Sequence, residues 1–259
     1  MILRRVIDHV KAQNWTAVAL DFVIVVLGVF IGIQVSNWNA ARGERAKEYG
    51  YLVRLHEDMQ RSIATIDRTI GMLERQSAGQ TILLDALAEC AVPPGAGDKL
   101  EYAISTLGYI NAPIFSSRTY DELTSSGSFD IIENEQIKTS LSDVVRRVTH
   151  LSQSVENVYR ITEHHRFTVE ENVLFSEITP YDEFGSTASV DFDISELCEN
   201  KKIASAVSAI RLQTFDRLQA YQALAALYRK LPPLIEKEIE ARWGRAIDAS
   251  SAAGLEIAE

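Results

Sequence analysis

The sequence predicts an all-α protein, with an N-terminal transmembrane helix continuing into an elongated antiparallel helical bundle. Three observations carry that prediction. A strongly apolar run with tryptophans on either side lies near the N-terminus. Apolar residues recur at spacings of three and four along three later stretches. The 259 residues include only six prolines and 13 glycines, so few breakers interrupt helix formation. Hydrophobic residues make up 46% and charged residues 24%, enough apolar material for a core and too much for a disordered chain. The net charge is −10. An acidic chain argues against nucleic acid as a partner, because phosphates require clustered Lys and Arg.

The first element is the apolar segment. Phe22 to Ile33 is an unbroken run. Alone it is too short to cross a bilayer and suits an export signal or a buried core helix equally well. Its flanks extend it. Trp15 and Trp38 bracket the run as interface anchors. At a rise of about 1.5 Å per residue the distance between them is roughly 34 Å, close to a hydrocarbon core plus interface. No small-x-small cleavage site follows Ile33, which disfavours a removed signal. Residues 15–38 are therefore expected to span the lipid bilayer after a short cytoplasmic tail, 1–14. Gly28 and Gly32 form G-x-x-x-G in that span, a candidate seam for a homodimer or a partner helix. Lipid-facing glycines are the plainer alternative.

A charged, helix-compatible stretch follows. Leu52, Leu55, Met59, Ile63, Ile66, Ile70, Leu73, Ser77, Thr81, Leu84 and Ala88 form a stripe of helical period. The helix is expected over about 39–91, with Val92-Pro-Pro-Gly as its stop. Asp98-Lys-Leu-Glu101 reads as a capping box opening a helix over 98–106. A Gly108-to-Pro113 link and a short helix over 117–125 come next. Asn134 is placed to cap a long helix over 134–175, striped by Ile137, Leu141, Val144, Val148, Leu151, Val155, Val158 and Ile161. Residues 176–197 read as a loop with a short extended piece near Ala188–Phe192. A helix over 195–231 follows, with Ile203, Val207, Ile210, Leu218, Tyr221, Ala225, Tyr228 and Leu231 on its buried face. Pro232-Pro233 are expected to break it before a last helix over 234–247 and a flexible tail, 248–259. Together 39–247 form one bundle domain.

Cys90 and Cys198 fall where the first long helix ends and the last begins. Antiparallel packing brings those ends together, so the pair is a candidate disulfide. The alternative is two unrelated small apolar residues. A bridge implies an oxidising compartment and places the body outside the cytoplasm. The basic residues beside the span do not decide orientation, and a cytoplasmic body is the alternative.

No catalytic signature appears: no H-E-x-x-H, no G-x-S-x-G, no phosphate-cradling glycine loop and no C-x-x-C. Glu163-His164-His165 is the only local group of metal-type side chains, and adjacent helical residues diverge by about 100°. A non-enzymatic protein without cofactor or metal is expected. The segment from Thr119 to Glu135 packs a short helix, a Ser/Gly turn and a new helix start into few residues. It is either a structural corner or a docking pocket lined by Tyr120, Phe129 and Ile131.

The stretches VLGVFIGIQVSNWN (26–39), EYGYLVRLHED (48–58) and YDELTSSGSFDII (120–132) resemble a family of bacterial single-pass membrane proteins of unknown function. The resemblance covers roughly residues 15–150 and implies an inner-membrane anchor with a helical body. It brings no catalytic residues. The expected role is that of an envelope interaction or scaffold protein with a protein partner or a second copy. A ligand-sensing bundle that signals through a partner membrane protein is the alternative.

Overall fold

A computed structural model describes residues 15–109, 118–182 and 185–247. The expected tails, 1–14 and 248–259, lie outside the described residues, as does the end of the link at Pro113. The chain divides into two units at Tyr51/Leu52. One helix, α1 (Trp15–Glu89), crosses that division.

In the first unit α1 is apolar and bare. Phe22, Val25, Leu27, Phe30, Ile31 and Val35 are all more than half exposed. The helix is long and apolar enough to cross a membrane, and none of its apolar window is buried.

In the second unit, the body, α1 continues from Leu52 as the first leg of a bundle. The chain then returns in pieces: α2 (Gly97–Ser105), α3 (Arg118–Ser125) and a 3-10 turn at Phe129–Ile131. Polar contacts fix this return as antiparallel to α1. Gln76 meets the carbonyl of Thr106, and further back along α1 Arg54 pairs with Glu122. The third leg is α4 (Glu135–Glu170). After a β-hairpin and the short α5 (Ile194–Glu199), the fourth leg is α6 (Lys201–Tyr228) followed by α7 (Leu231–Trp243). Cys90–Cys198, Gln80–Thr214, Asp67–Arg229 and His56–Glu236 contacts show α1 and α6–α7 running in opposite directions. The body is thus an up-down-up-down helical bundle whose second leg is broken.

The core follows from the stripes. Leu52, Leu55, Met59, Ile66 and Leu73 of α1, Ile137, Leu141 and Val144 of α4, and Ile203, Val207, Ile210 and Tyr228 of α6 are nearly or wholly buried. Beyond Leu73 the buried face of α1 shifts by one residue from the expected stripe, to Gln76, Gln80, Leu83 and Leu87. Ser77 and Thr81 sit at its margin. Similarly Thr162 rather than Ile161 turns inward on α4, and Ile161 is 54% exposed.

Several boundaries differ from the expected ones. α2 begins at Gly97, not at a box capped by Asp98, and its Ala96 cap has no side-chain hydrogen bond. Asp98 lies instead in the first turn, where a carboxylate favours the helix dipole. α4 stops at Glu170 rather than Phe175. The expected loop holds two antiparallel strands, β1 (Leu174–Asp182) and β2 (Gly185–Asp191). The helix expected over 195–231 is two, because Asn200 accepts from the Lys202 N–H and starts α6 afresh. The prolines do not separate α7 from its start. They occupy its first turn, where a missing N–H costs nothing.

Candidate functional site

The candidate residues fall into four places. On α1, a Cβ added at Gly28 or Gly32 would meet nothing within 4 Å, so both glycines present bare backbone. Trp38 is 64% exposed, and the Arg42 guanidinium lies 5.8 Å from the centre of its ring. Trp15 begins the helix, and its side chain lies outside the described residues.

At the far end of the same helix, Cys90 and Cys198 are disulfide-bonded with Cα atoms 5.5 Å apart, closing a loop across 108 positions. Cys90 has a φ of +51°. It occupies the left-handed position just beyond α1, and the Ala91 N–H returns to the Ala86 carbonyl at 3.1 Å. That is the helix stop usually built on glycine. Cys198 comes from α5, whose start Asp193 caps by accepting from the Ser195 N–H at 2.8 Å. The same carboxylate is held below its usual range, chiefly by the hydrogen bond from the Ser195 hydroxyl.

The corner between α3 and α4 brings Tyr120 and Phe129 edge to face, with ring centres 5.6 Å apart. The two rings fill against each other rather than opposing across a cleft. Ile131 is half-buried, whereas its neighbour Ile132 is fully buried. The corner is pinned from α1. The buried Asp58 accepts from the Thr119 N–H at 3.1 Å and pairs with Arg61, which places a carboxylate at the N-terminus of α3. Arg54 reaches Glu122 with two hydrogen bonds, at 2.8 and 3.2 Å.

The fourth place, absent from the sequence expectations, is a buried polar layer between α1, α2 and α6. Gln76 donates to the carbonyls of Thr106 and Tyr109, at 3.1 and 3.4 Å. Gln80 donates to the Thr214 hydroxyl at 3.1 Å. Arg217, 7% exposed, donates to the Tyr109 carbonyl at 3.2 Å and to Thr214. Burial pulls its guanidinium down to about 10. Gln76 and Arg217 thus converge on carbonyls just beyond the end of α2, of which that of Thr106 also accepts the Tyr109 N–H at 3.1 Å. A periodicity count of apolar residues passes over them, because Gln and Arg on a buried face read as interruptions.

Among the described residues no three His, Cys, Asp or Glu side chains gather as a metal site. His164 and His165 lie with rings 5.6 Å apart. Comparison with protein-family models, curated proteins and solved structures finds no match to this chain.

Proposed function

We propose that this chain is a single-pass protein of the bacterial inner membrane, whose helical body works outside the cytoplasm by non-enzymatic contact with other proteins. The observation that carries the reading is the bare apolar segment of α1. A run of more than half-exposed Val, Ile, Leu and Phe is costly in water and suits lipid. The Cys90–Cys198 bridge supports an oxidising compartment for the body. The resemblance of residues 26–39, 48–58 and 120–132 to bacterial single-pass proteins supports the membrane assigned.

The interaction role draws on what the body displays. Its buried polar groups Asp58, Gln76, Gln80 and Arg217 bond to neighbouring elements and hold them in register, and its surface carries exposed Phe167, Phe175, Ile178, Leu212 and Phe215. A paired reporter fusion at the C-terminus tests the topology: alkaline phosphatase should be active and a cytoplasmic fluorescent reporter dark. The reverse pattern would place the body in the cytoplasm. Crosslinking in membranes followed by pull-down tests the role, and recovery of the chain alone across crosslinkers of different length would count against it.

A further inference from the structure

The β-hairpin is the part of the body least used by its own fold. Its inner strand is accounted for. β2 packs on α2, Val190 is 6% exposed, and the Val190 N–H is taken by Glu101 at 3.3 Å. The outer strand is not. Every residue of β1 from Leu174 to Thr179 is exposed, including Leu174 at 71% and Ile178 at 70%. Among the described residues the sheet has two strands in the order β1-β2, and none of them lies as a strand beside the far edge of β1, whose backbone N–H and C=O groups are left to pair elsewhere. A lone hairpin is marginal in water, and a third strand is the usual remedy. Proteins commonly blunt such an edge with lysine, proline, bulges or a cover; β1 has neither lysine nor arginine, its one proline, Pro180, lies toward the turn, and its register is irregular between Phe175 and Ile178 and between Pro180 and Asp182.

Charge identifies the occupant. Every charged residue from Glu171 to Glu196 is acidic. At the root of the hairpin an open groove of about 760 Å³ has apolar walls from Leu174, Phe192 and Ile194 and a rim of Glu171, Asp191 and Glu196. A second copy adding β1 to β1 would set carboxylates against carboxylates, which is destabilising. An extended segment with apolar side chains alternating with Lys or Arg would complete the sheet, cover Leu174 and Ile178, and neutralise the rim.

We propose that the free edge of β1 is a docking site for an extended, basic and apolar segment of a partner protein, added as a third strand. The proposal deepens the interaction role above and rests on that reading.

The test uses the full chain in lipid nanodiscs and a short fluorescent peptide alternating Val with Lys, read by anisotropy. Saturable binding is expected, weakened about tenfold or more by N-methylation of alternate peptide bonds, by exchange of Lys for Glu in the peptide, or by Ile178→Asp in the protein. The double variant Glu177→Lys, Asp191→Lys should invert the preference toward the acidic peptide. Equal binding of the N-methylated peptide, or binding indifferent to Ile178→Asp, would overturn the proposal. A crosslink between two copies at position 178 would assign the edge to self-association and overturn it too. If the peptide fails while wild-type and Ile178→Asp chains recover the same crosslinked partner from membranes, the docking strand is wrong and the interaction role stands. If no partner is recovered by either chain, the role itself falls.

Discussion

The buried polar and phenolic side chains give this protein a pH dependence with a definite sign. Burial pushes the Tyr221 and Tyr228 hydroxyls well above their ordinary value near 10.0. Above that pH an unfolded chain releases phenolic protons that the folded chain retains, so stability falls as pH rises. Arg217 acts the other way. Burial lowers its guanidinium to about 10, so between that value and its ordinary one the unfolded chain binds more protons and stability gains with pH. Two phenols outweigh one guanidinium. Urea midpoints should therefore fall between about pH 9 and pH 11, and Tyr228→Phe should flatten the fall. A midpoint that rises over that interval would contradict the assignment of these groups. Tyr221 and Tyr228 were legible in the sequence as core residues of a helical stripe. Arg217, Gln76 and Gln80 were not, because Gln76 and Arg217 are buried against carbonyls delivered beyond α2 and Gln80 against the Thr214 hydroxyl of α6, and a one-dimensional pattern does not show which elements meet.

Helix ends decide most of what separates expectation from observation among the elements. The long helices were readable because their stripes persist through many turns. Asn134 was readable as a cap, and it accepts from the Gln136 and Ile137 N–H groups at 2.9 and 3.1 Å. Asn200 was not, since a cap followed by more helix-compatible sequence looks like a helix interior. The hairpin was half legible: the extended piece expected near Ala188–Phe192 overlaps β2, whereas β1 was missed because Val169 and Val173 continue the helical period of α4 while Leu174 already begins a strand. Two substitutions probe these ends. Cys90 holds a left-handed position, so in a bridge-free background with Cys198→Ser, Cys90→Gly should be more stable than Cys90→Ala by about 1 kcal/mol. Equal denaturation midpoints for the two would remove the helix-stop role. Gly108 has a φ of +71°, and a Cβ there would lie 2.8 Å from the Thr162 γ-methyl. Gly108→Ala should cost about 1–3 kcal/mol, measured by urea unfolding; a neutral result would mean that the α2 connection yields freely.

On the scale of the whole molecule, the sequence foretold a helical bundle behind an apolar helix, and the structure has both. It did not foretell that the second leg would be assembled from α2, α3 and a 3-10 turn. The two short helices were legible, expected over 98–106 and 117–125, but their alignment as one leg is fixed by contacts from α1 such as Asp58 to Thr119 and Arg54 to Glu122, which no pattern along the chain shows. The candidate docking corner was legible as a corner only. The exposed apolar residues lie in both units, but those from Phe22 to Trp38 follow one another along α1 with no packing partner among the described residues. A chain lacking residues 1–38 should remain folded and no longer require detergent. Sedimentation and circular dichroism without detergent check this, and aggregation of the shortened chain would show that apolar surface elsewhere governs solubility.

The Cys90–Cys198 bridge also imposes an order in time. Its first thiol is available once α1 has ended, but its second arrives only after α2, α3, α4 and the hairpin have been laid down between them. Packing α1 against α6 in the register of Gln80 and Thr214 brings the two thiols within reach, so the native cross-link is expected to follow helix docking. In a refolding reaction quenched with a thiol-blocking reagent, the bridged species should appear after the bulk of helix has formed. Bridging as early as the helix signal would mean that the thiols meet in a collapsed, unsorted chain.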